Sequence, residues 1–312
     1  MNKQYTSPRA LEQALNSQAR IDSARLGVPT QELVGRFYFQ RLLARVFQSE
    51  GWILKGGQAL LVRYPAQARY SRDIDLFRPA QGNLDEAVAA LDRAARLDLD
   101  DFLTYNQRSR STNAADAATF KFDVALGTRH KDSISVDLVV KSTPTAAPNR
   151  VRLEPAVGLA WPDNWPEVTL YPIADHIADK ICAMYERHEQ TGGASSRFRD
   201  LADLLLISQQ ETVNGQSVRT ALDSEIRRRT SLGTDLRVPQ EFEVPDPVSW
   251  KSRYPAAAAL VNGLRGCRTL DEATTAAHAF LTPLLGSTTS PGTWDPSVSA
   301  WLAMPSPRQA HR

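Results

Sequence analysis

Between residues 8 and 48 apolar positions recur three and four apart, and Phe39, Leu42, Leu43, Val46 and Phe47 fall on one stripe, the spacing of an amphipathic helix. Pro29 followed by Thr30 marks the start of that helix, with the Thr30 hydroxyl as its cap. Arg36, Arg41 and Arg45 lie off the stripe, which predicts a solvated basic side. Trp52-Ile53-Leu54 then reads as a strand, Gly56-Gly57 as a break, and Gln58-Ala59-Leu60-Leu61-Val62 as a helix. In Ser71-Arg72-Asp73-Ile74-Asp75-Leu76-Phe77 the period drops to two. A strand there carries Asp73 and Asp75 on one face with Ile74 and Leu76 behind them, and Ser71 joins the aspartates if the strand reaches it. Leu84 to Leu97 predicts an amphipathic helix, followed by an acidic run, Asp98 to Asp101, expected in solvent. Two further alternating strands follow, Phe120 to Leu126 and Ile134 to Leu138. The second sets Asp137 on the face opposite its apolar residues, with Ser133 and Ser135.

Beyond Pro144 the pattern changes. Prolines and irregular polarity up to Trp165 suggest a connection with one short strand and a domain boundary near residue 150, giving a core over 1–150 and a second domain over 151–312. From Ile173 the chain reads as helical, interrupted by Gly192-Gly193-Ala194-Ser195-Ser196 and resuming at Arg197. Helices are predicted over Val218 to Arg229, Tyr254 to Leu264 and Leu270 to Leu285, with a proline-rich bridge through Pro245, Pro247 and Trp250. Arg227-Arg228-Arg229 suits the negative end of a helix dipole and equally suits RNA phosphates. Trp294 to Trp301 predicts late packing, and Pro305 to Arg312 a disordered end.

Composition narrows this picture only a little. The 312 residues, 42% apolar and 23% charged, describe a globular protein with enough chain for one large domain or two modest ones. A net charge of +2 and a pI near 8.5 neither require nor exclude a nucleic-acid partner. Cys182 and Cys267, in helical apolar settings, read as buried free thiols of a reducing compartment. The first residues lack the apolar region of a signal peptide, and no apolar run approaches the ~20 residues of a membrane span. These features predict a cytoplasmic protein with no membrane partner. There is no internal repeat and no zinc-ligand spacing.

The candidate chemistry lies between Trp52 and Phe77. Two carboxylates converging from one strand face are costly unless a cation compensates them, and hard oxygen donors suit Mg²⁺ shared with substrate phosphates. A double glycine at a helix start lets backbone approach a phosphate. In this order, strand, Gly-Gly, helix and Asp-x-Asp strand resemble the DNA polymerase β-like nucleotidyltransferase superfamily. Leu54-Lys55-Gly56-Gly57-Gln58-Ala59-Leu60 with Tyr70-Ser71-Arg72-Asp73-Ile74-Asp75-Leu76-Phe77 is similar to its AbiEii/AbiGii toxin branch. The interval from Gly57 to Asp73 is somewhat longer than in the common pattern.

The resemblance implies an α/β (α+β) fold: a nucleotidyltransferase core with a mixed sheet, and a mainly helical C-terminal lobe that contributes nucleotide-binding residues. It implies a third metal-site acid from a neighbouring strand, for which Asp137 is preferred over its rival Asp123. Asp73, Asp75 and Asp137 would hold two Mg²⁺ ions, with Mn²⁺ as the alternative, while Gly56, Gly57 and Ser71 face the triphosphate. Two later stretches match toxin motifs. His176 to Met184 places Lys180 as a cation for the nucleotide, and Arg197-Phe198-Arg199-Asp200-Leu201-Ala202-Asp203 offers an acid to orient it, Asp200 preferred and Asp203 the alternative. The implied activity is nucleotide transfer from an NTP to an RNA acceptor, expected to be the 3′ end of tRNA, by a growth-inhibiting toxin with a cognate antitoxin. Nucleotide transfer onto a protein side chain and a non-catalytic binding role stand as alternatives.

Overall fold

The computed structural model describes residues 5–79, 83–114, 116–141, 143–187, 195–286 and 291–303. The expected break at Gly192-Gly193-Ala194 and the tail Pro305 to Arg312 lie outside the described residues. The chain divides into two compact units. One comprises Met1–Ala66, Tyr70–Thr143 and Pro148–Tyr171; the other comprises Gln67–Arg69, Pro144–Ala147 and Pro172–Arg312.

The first unit runs α1 (Pro8–Leu26), α2 (Thr30–Val46), β1 (Ile53–Lys55), α3 (Gly56–Arg63), β2 (Asp73–Pro79), α4 (Leu84–Ala95), β3 (Leu103–Ala114), β4 (Ala117–Leu126), β5 (Arg129–Lys141), β6 (Asn149–Arg152) and β7 (Glu167–Leu170). Ser7 caps α1, accepting from the Ala10 N–H, and Gly27 ends it at φ 67°. Thr30 is the first helical residue of α2 rather than its cap; Pro29 precedes it and no side chain caps this helix. Asn83 caps α4, accepting from the Glu86 N–H at 2.9 Å.

Among the described residues, seven strands form one mixed sheet in the order β3-β4-β5-β2-β1-β7-β6. β2 and β5 are parallel, joined through α4, β3 and β4, whereas β4 pairs antiparallel with β5 and β1 with β2. Strict alternation gives the sheet one apolar face. Leu54, Ile74, Leu76, Phe120, Phe122, Val124, Val136, Leu138 and Leu170 join one buried core with residues of α1, α2 and α4. The hairpin β6–β7 extends this sheet through β7 beside β1. For that reason the last change of unit comes at Tyr171/Pro172 and not at 150/151, which falls inside β6.

Two expectations fail here for one reason. Arg36, Arg41 and Arg45 are buried, not solvated, and so is Asp101. Arg41 Nε donates to Asp101 Oδ2 at 2.7 Å, and Arg45 Nη2 to Oδ1 at 2.6 Å. Arg45 also donates to the carbonyls of Leu97 and Leu103, and its guanidinium lies 4.8 Å from the Tyr105 ring centre. Burial raises the Asp101 carboxyl, but Arg45 and Arg41 outweigh it and hold its pKa low. Asp101 after α4 thus holds Arg41 and Arg45 of α2 inside the core, a pairing that helical spacing alone does not reveal, while Arg36 is buried against Glu32 and the Pro65 carbonyl.

The second unit contains α5 (Ile173–Tyr185), α6 (Phe198–Gln210), β8 (Val213–Asn214), α7 (Gly215–Ser231), α8 (Pro247–Ala259), α9 (Leu270–Leu285), β9 (Thr293–Asp295) and β10 (Ala300–Leu302). Its helical character is as expected, with a small sheet in the order β10-β9-β8 added to it. α8 begins earlier than the periodicity suggested because Asp246 caps it, accepting from the Ser249 N–H, and Pro247 occupies the first turn. Trp294, 2% exposed, packs edge-on to Phe280 with ring centres 4.9 Å apart, the late packing expected of this tail. Of the triple arginine, Arg229 is buried and bonded to Asp179, Glu186 and Glu225. Arg229 is therefore a structural residue, whereas Arg227 is exposed. Cys182 and Cys267 are buried free thiols, though Cys267 sits in the loop before α9.

Candidate active site

Parallel pairing of β2 with β5 sets Asp73 beside Ser135 and Asp75 beside Asp137. Directly paired residues share a sheet face, so the two strands present three aspartates on the face opposite the apolar core. The ladder continues on both sides. β1 places Lys55 opposite Asp75, and β4 places Thr119 opposite Asp137. The row Lys55, Asp75, Asp137, Thr119 therefore crosses four adjacent strands. Asp73 is exposed, and Asp75 and Asp137 are half-buried, while Ile74, Leu76, Val136 and Leu138 behind them are fully buried. Asp123, the rival third acid, pairs with Ser133 well down the β4–β5 ladder and accepts from the Ser133 hydroxyl at 2.8 Å.

The carboxylates have defined local settings. Asp137 Oδ1 accepts from the Thr119 hydroxyl at 2.6 Å. Gly56 opens α3 at φ 65°, and any Cβ built there would overlap the Asp75 carboxylate. Glycine is required at 56 both for its backbone angle and to make room for Asp75, while Gly57 follows it as a buried residue of α3. β2 begins at Asp73, so the ladder does not extend to Ser71. The Ser71 carbonyl instead accepts from Gln58 Nε2 at 2.5 Å.

Among the described residues, no three His, Cys, Asp or Glu side chains are gathered tightly enough to enclose a metal ion. Three carboxylates at neighbouring register positions on one polar face are nonetheless hard oxygen donors, the chemistry that a divalent cation takes.

In the second unit Lys180 of α5 is buried, and its ammonium donates to Asp200 Oδ1 at 2.7 Å and to Asp203 Oδ2 at 2.6 Å. Both acids lie on one side of α6, so each of the two alternatives holds the lysine. Asp203 also takes a two-pronged contact from Arg69, Nε to Oδ1 at 3.0 Å and Nη2 to Oδ2 at 2.9 Å. Burial lowers the Lys180 pKa and the two carboxylates more than reverse this; burial raises that of Asp203 and Lys180 with Arg69 more than reverse it. The long interval between Gly57 and Asp73 contains α3 and the segment Gln67–Arg69, which packs in this second unit. Sequence reading gave no role to Lys55 or Thr119, whose only signals are a lysine directly before the double glycine and a threonine directly before an alternating strand; Arg69 it placed only within a local excess of basic residues, Arg63, Arg69, Arg72 and Arg78, and not against Asp203.

Residues 38–282 match the family model described as "Nucleotidyl transferase AbiEii toxin, Type IV TA system". The chain belongs to the AbiEii family. An AbiEii toxin is a nucleotidyltransferase of a type IV toxin-antitoxin system, which implies NTP use and an antitoxin partner. The AbiEii match spans the double glycine, Asp73, Asp75 and Asp137, and the Lys180 cluster. Comparison with curated proteins finds no match. Among solved structures, MenT4, a nucleotidyltransferase toxin of Mycobacterium tuberculosis H37Rv, is similar over 82% of this chain and 93% of its own, with 15% identity and a TM-score of 0.50, and shows the same fold. JHP933 from Helicobacter pylori is similar over 78% of this chain and 86% of its own, with 16% identity and a TM-score of 0.41. No helix among the described residues is long and apolar enough to cross a membrane.

Proposed function

We propose that this AbiEii toxin acts in the cytoplasm as a metal-dependent enzyme that transfers a nucleotide from an NTP to an RNA acceptor, the 3′ end of tRNA being the expected one. The observation that carries the metal dependence is the register of Asp75 beside Asp137, with Asp73 two residues before Asp75 on the same face. Asp73, Asp75 and Asp137 would hold the ions, Mg²⁺ or Mn²⁺. Bound there, two divalent ions supply charge stabilisation for the transferring phosphoryl group and lower the pKa of the attacking hydroxyl.

The remaining work falls to positioning. An acceptor hydroxyl attacks the α-phosphorus in line, its O–P bond forms as the α–β bridging bond breaks, and pyrophosphate leaves. Gly56 and Gly57 keep side chains clear of the α3 N-terminus, where backbone N–H groups favour a phosphate. Ser71 would offer a hydroxyl to the same triphosphate. Lys180 would serve the nucleotide through its own cluster: Asp200 and Asp203 fix the ammonium, and a phosphate oxygen would replace one of them as acceptor.

The test is incubation of total RNA with each labelled NTP and Mg²⁺, beside an Asp73→Asn control. Label entering tRNA-sized bands, absent with the control, is expected. Label entering protein bands instead would show a protein side chain to be the acceptor.

A further inference from the structure

Lys55 breaks two local rules. It is the N-cap of α3, where Ser, Thr, Asp or Asn is preferred, and no side-chain cap bond is made there. Its charge also stands at the positive end of the helix dipole, where anions are favoured. The next residue, Gly56, breaks a third by opening the helix with positive φ. Such conflicts in consecutive residues mark a position kept for something other than helix stability.

What faces Lys55 explains the conflict. The β1–β2 register sets it directly opposite Asp75 on the polar face, and cross-strand partners in such a pair have Cβ atoms roughly 4.5–5.5 Å apart. The Asp75 carboxylate in turn lies against Gly56, the residue after Lys55. Lys55 is half-buried rather than extended into solvent.

We propose that Lys55 is an active-site cation: it neutralises Asp75 when no metal is bound, and contacts an NTP phosphate once metal ions have taken over the carboxylates. The second half rests on the metal and NTP reading given above; the first does not. A lysine that competes with metal for Asp75 yet assists the nucleotide has a distinctive signature. Its removal shifts the two affinities in opposite directions.

The experiment uses full-length Lys55→Met, Lys55→Arg and wild-type protein. Calorimetry is expected to show Lys55→Met binding Mg²⁺ alone about tenfold more tightly, and binding a non-hydrolysable NTP analogue with Mg²⁺ about tenfold more weakly, with Lys55→Arg restoring the analogue. Unchanged affinities, or affinities that fall together, overturn the proposal. Thermal unfolding in chelator tests the metal-free half: Lys55→Met should melt lower than wild type, and adding Asp75→Asn should recover the loss. No recovery overturns the Lys55–Asp75 pairing. A wild type that binds no Mg²⁺ while recovery is seen overturns the metal reading and leaves the pairing intact.

Discussion

The molecule concentrates charge in two contrasting ways. On the sheet of the first unit, Asp73, Asp75 and Asp137 are gathered by backbone register on a polar face that solvent reaches. In the second unit, Lys180, Asp200, Asp203 and Arg69 lie close in a cluster where each acid accepts from a cation, and Asp203 is 1% exposed. In the first set like carboxylates repel one another, and a divalent cation would satisfy all three together. The second is self-neutralising, and breaking one pair strands another buried charge. Acids of the sheet face are accordingly positions where substitution is expected to cost function rather than stability. Acids of the buried cluster are positions where it removes structure.

The sharpest separation comes from Asp73→Asn and Asp75→Asn. Each is expected to abolish nucleotide transfer; Asp73→Asn should leave the thermal midpoint unchanged or slightly raised, because one of two repelling carboxylates is gone, whereas Asp75→Asn also loses the Lys55 pairing and its midpoint should not rise. Substantial transfer by either purified variant would remove the metal site. Asp203→Asn should do the reverse. Taking one partner from a buried ionic cluster costs about 3–5 kcal/mol, so urea unfolding should show a large fall in stability. A midpoint within error of wild type would mean that the cluster relaxes without cost.

How much of this was legible depended on which physical signal each residue left. The placement of Asp73, Asp75 and Asp137 on the polar sides of their strands was legible because a strand's period of two is written directly in the order of apolar and polar residues. Their pairing was not, since register between distant strands leaves no trace in either segment alone. β3 was missed because Leu103, Tyr105 and the half-buried Phe102 before it engage the interior while Gln107 to Thr112 are exposed on both faces, so no alternation marks that stretch. Arg41, Arg45 and Asp101 were misread as solvated for a different reason. A charge is assigned to solvent by default, and only a partner brought from elsewhere in the chain overturns that default. Lys180 escaped the same error through its motif rather than through physics.

Lys180→Ala joins the two kinds of region, being buried like the cluster and assigned to the nucleotide. Loss of a charge-assisted contact of ~1.5–3 kcal/mol implies a ten- to hundredfold defect in nucleotide use, read as the transfer rate at limiting NTP. Full nucleotide affinity in a folded variant would reduce Lys180 to a structural residue. The cluster also fixes a pH signature. Asp203 has its pKa lowered on folding, so its stabilisation is present above the ordinary carboxyl range and is lost as pH falls through the native value. Lys180 has its pKa raised, so its contribution is complete below the ordinary lysine value and is lost as pH rises through the native one. Chemical-denaturant stability should therefore drop below about pH 4 and above about pH 10. In Asp203→Asn the acid-side drop should be smaller; an identical acid limb would show that other carboxylates govern it.

The smallest effect is expected at Ser71, between the two cases in kind. β2 does not reach it, so strand geometry does not aim its hydroxyl at the acids, and its firm contact is the backbone carbonyl accepting from Gln58 Nε2. Ser71→Ala leaves that carbonyl bond in place. Only the hydroxyl is lost, and its bond to an anionic phosphate oxygen sits at the low end of charge-assisted hydrogen bonds, roughly 1.5 kcal/mol or about tenfold in affinity. Gln58→Ala is the informative companion, because it removes the anchor and keeps the hydroxyl. A raised KM for NTP in Ser71→Ala with an unchanged melting temperature would establish the hydroxyl as a phosphate ligand. If KM changes only in Gln58→Ala, the position serves by holding the turn before Asp73, and the serine side chain has no part in the site.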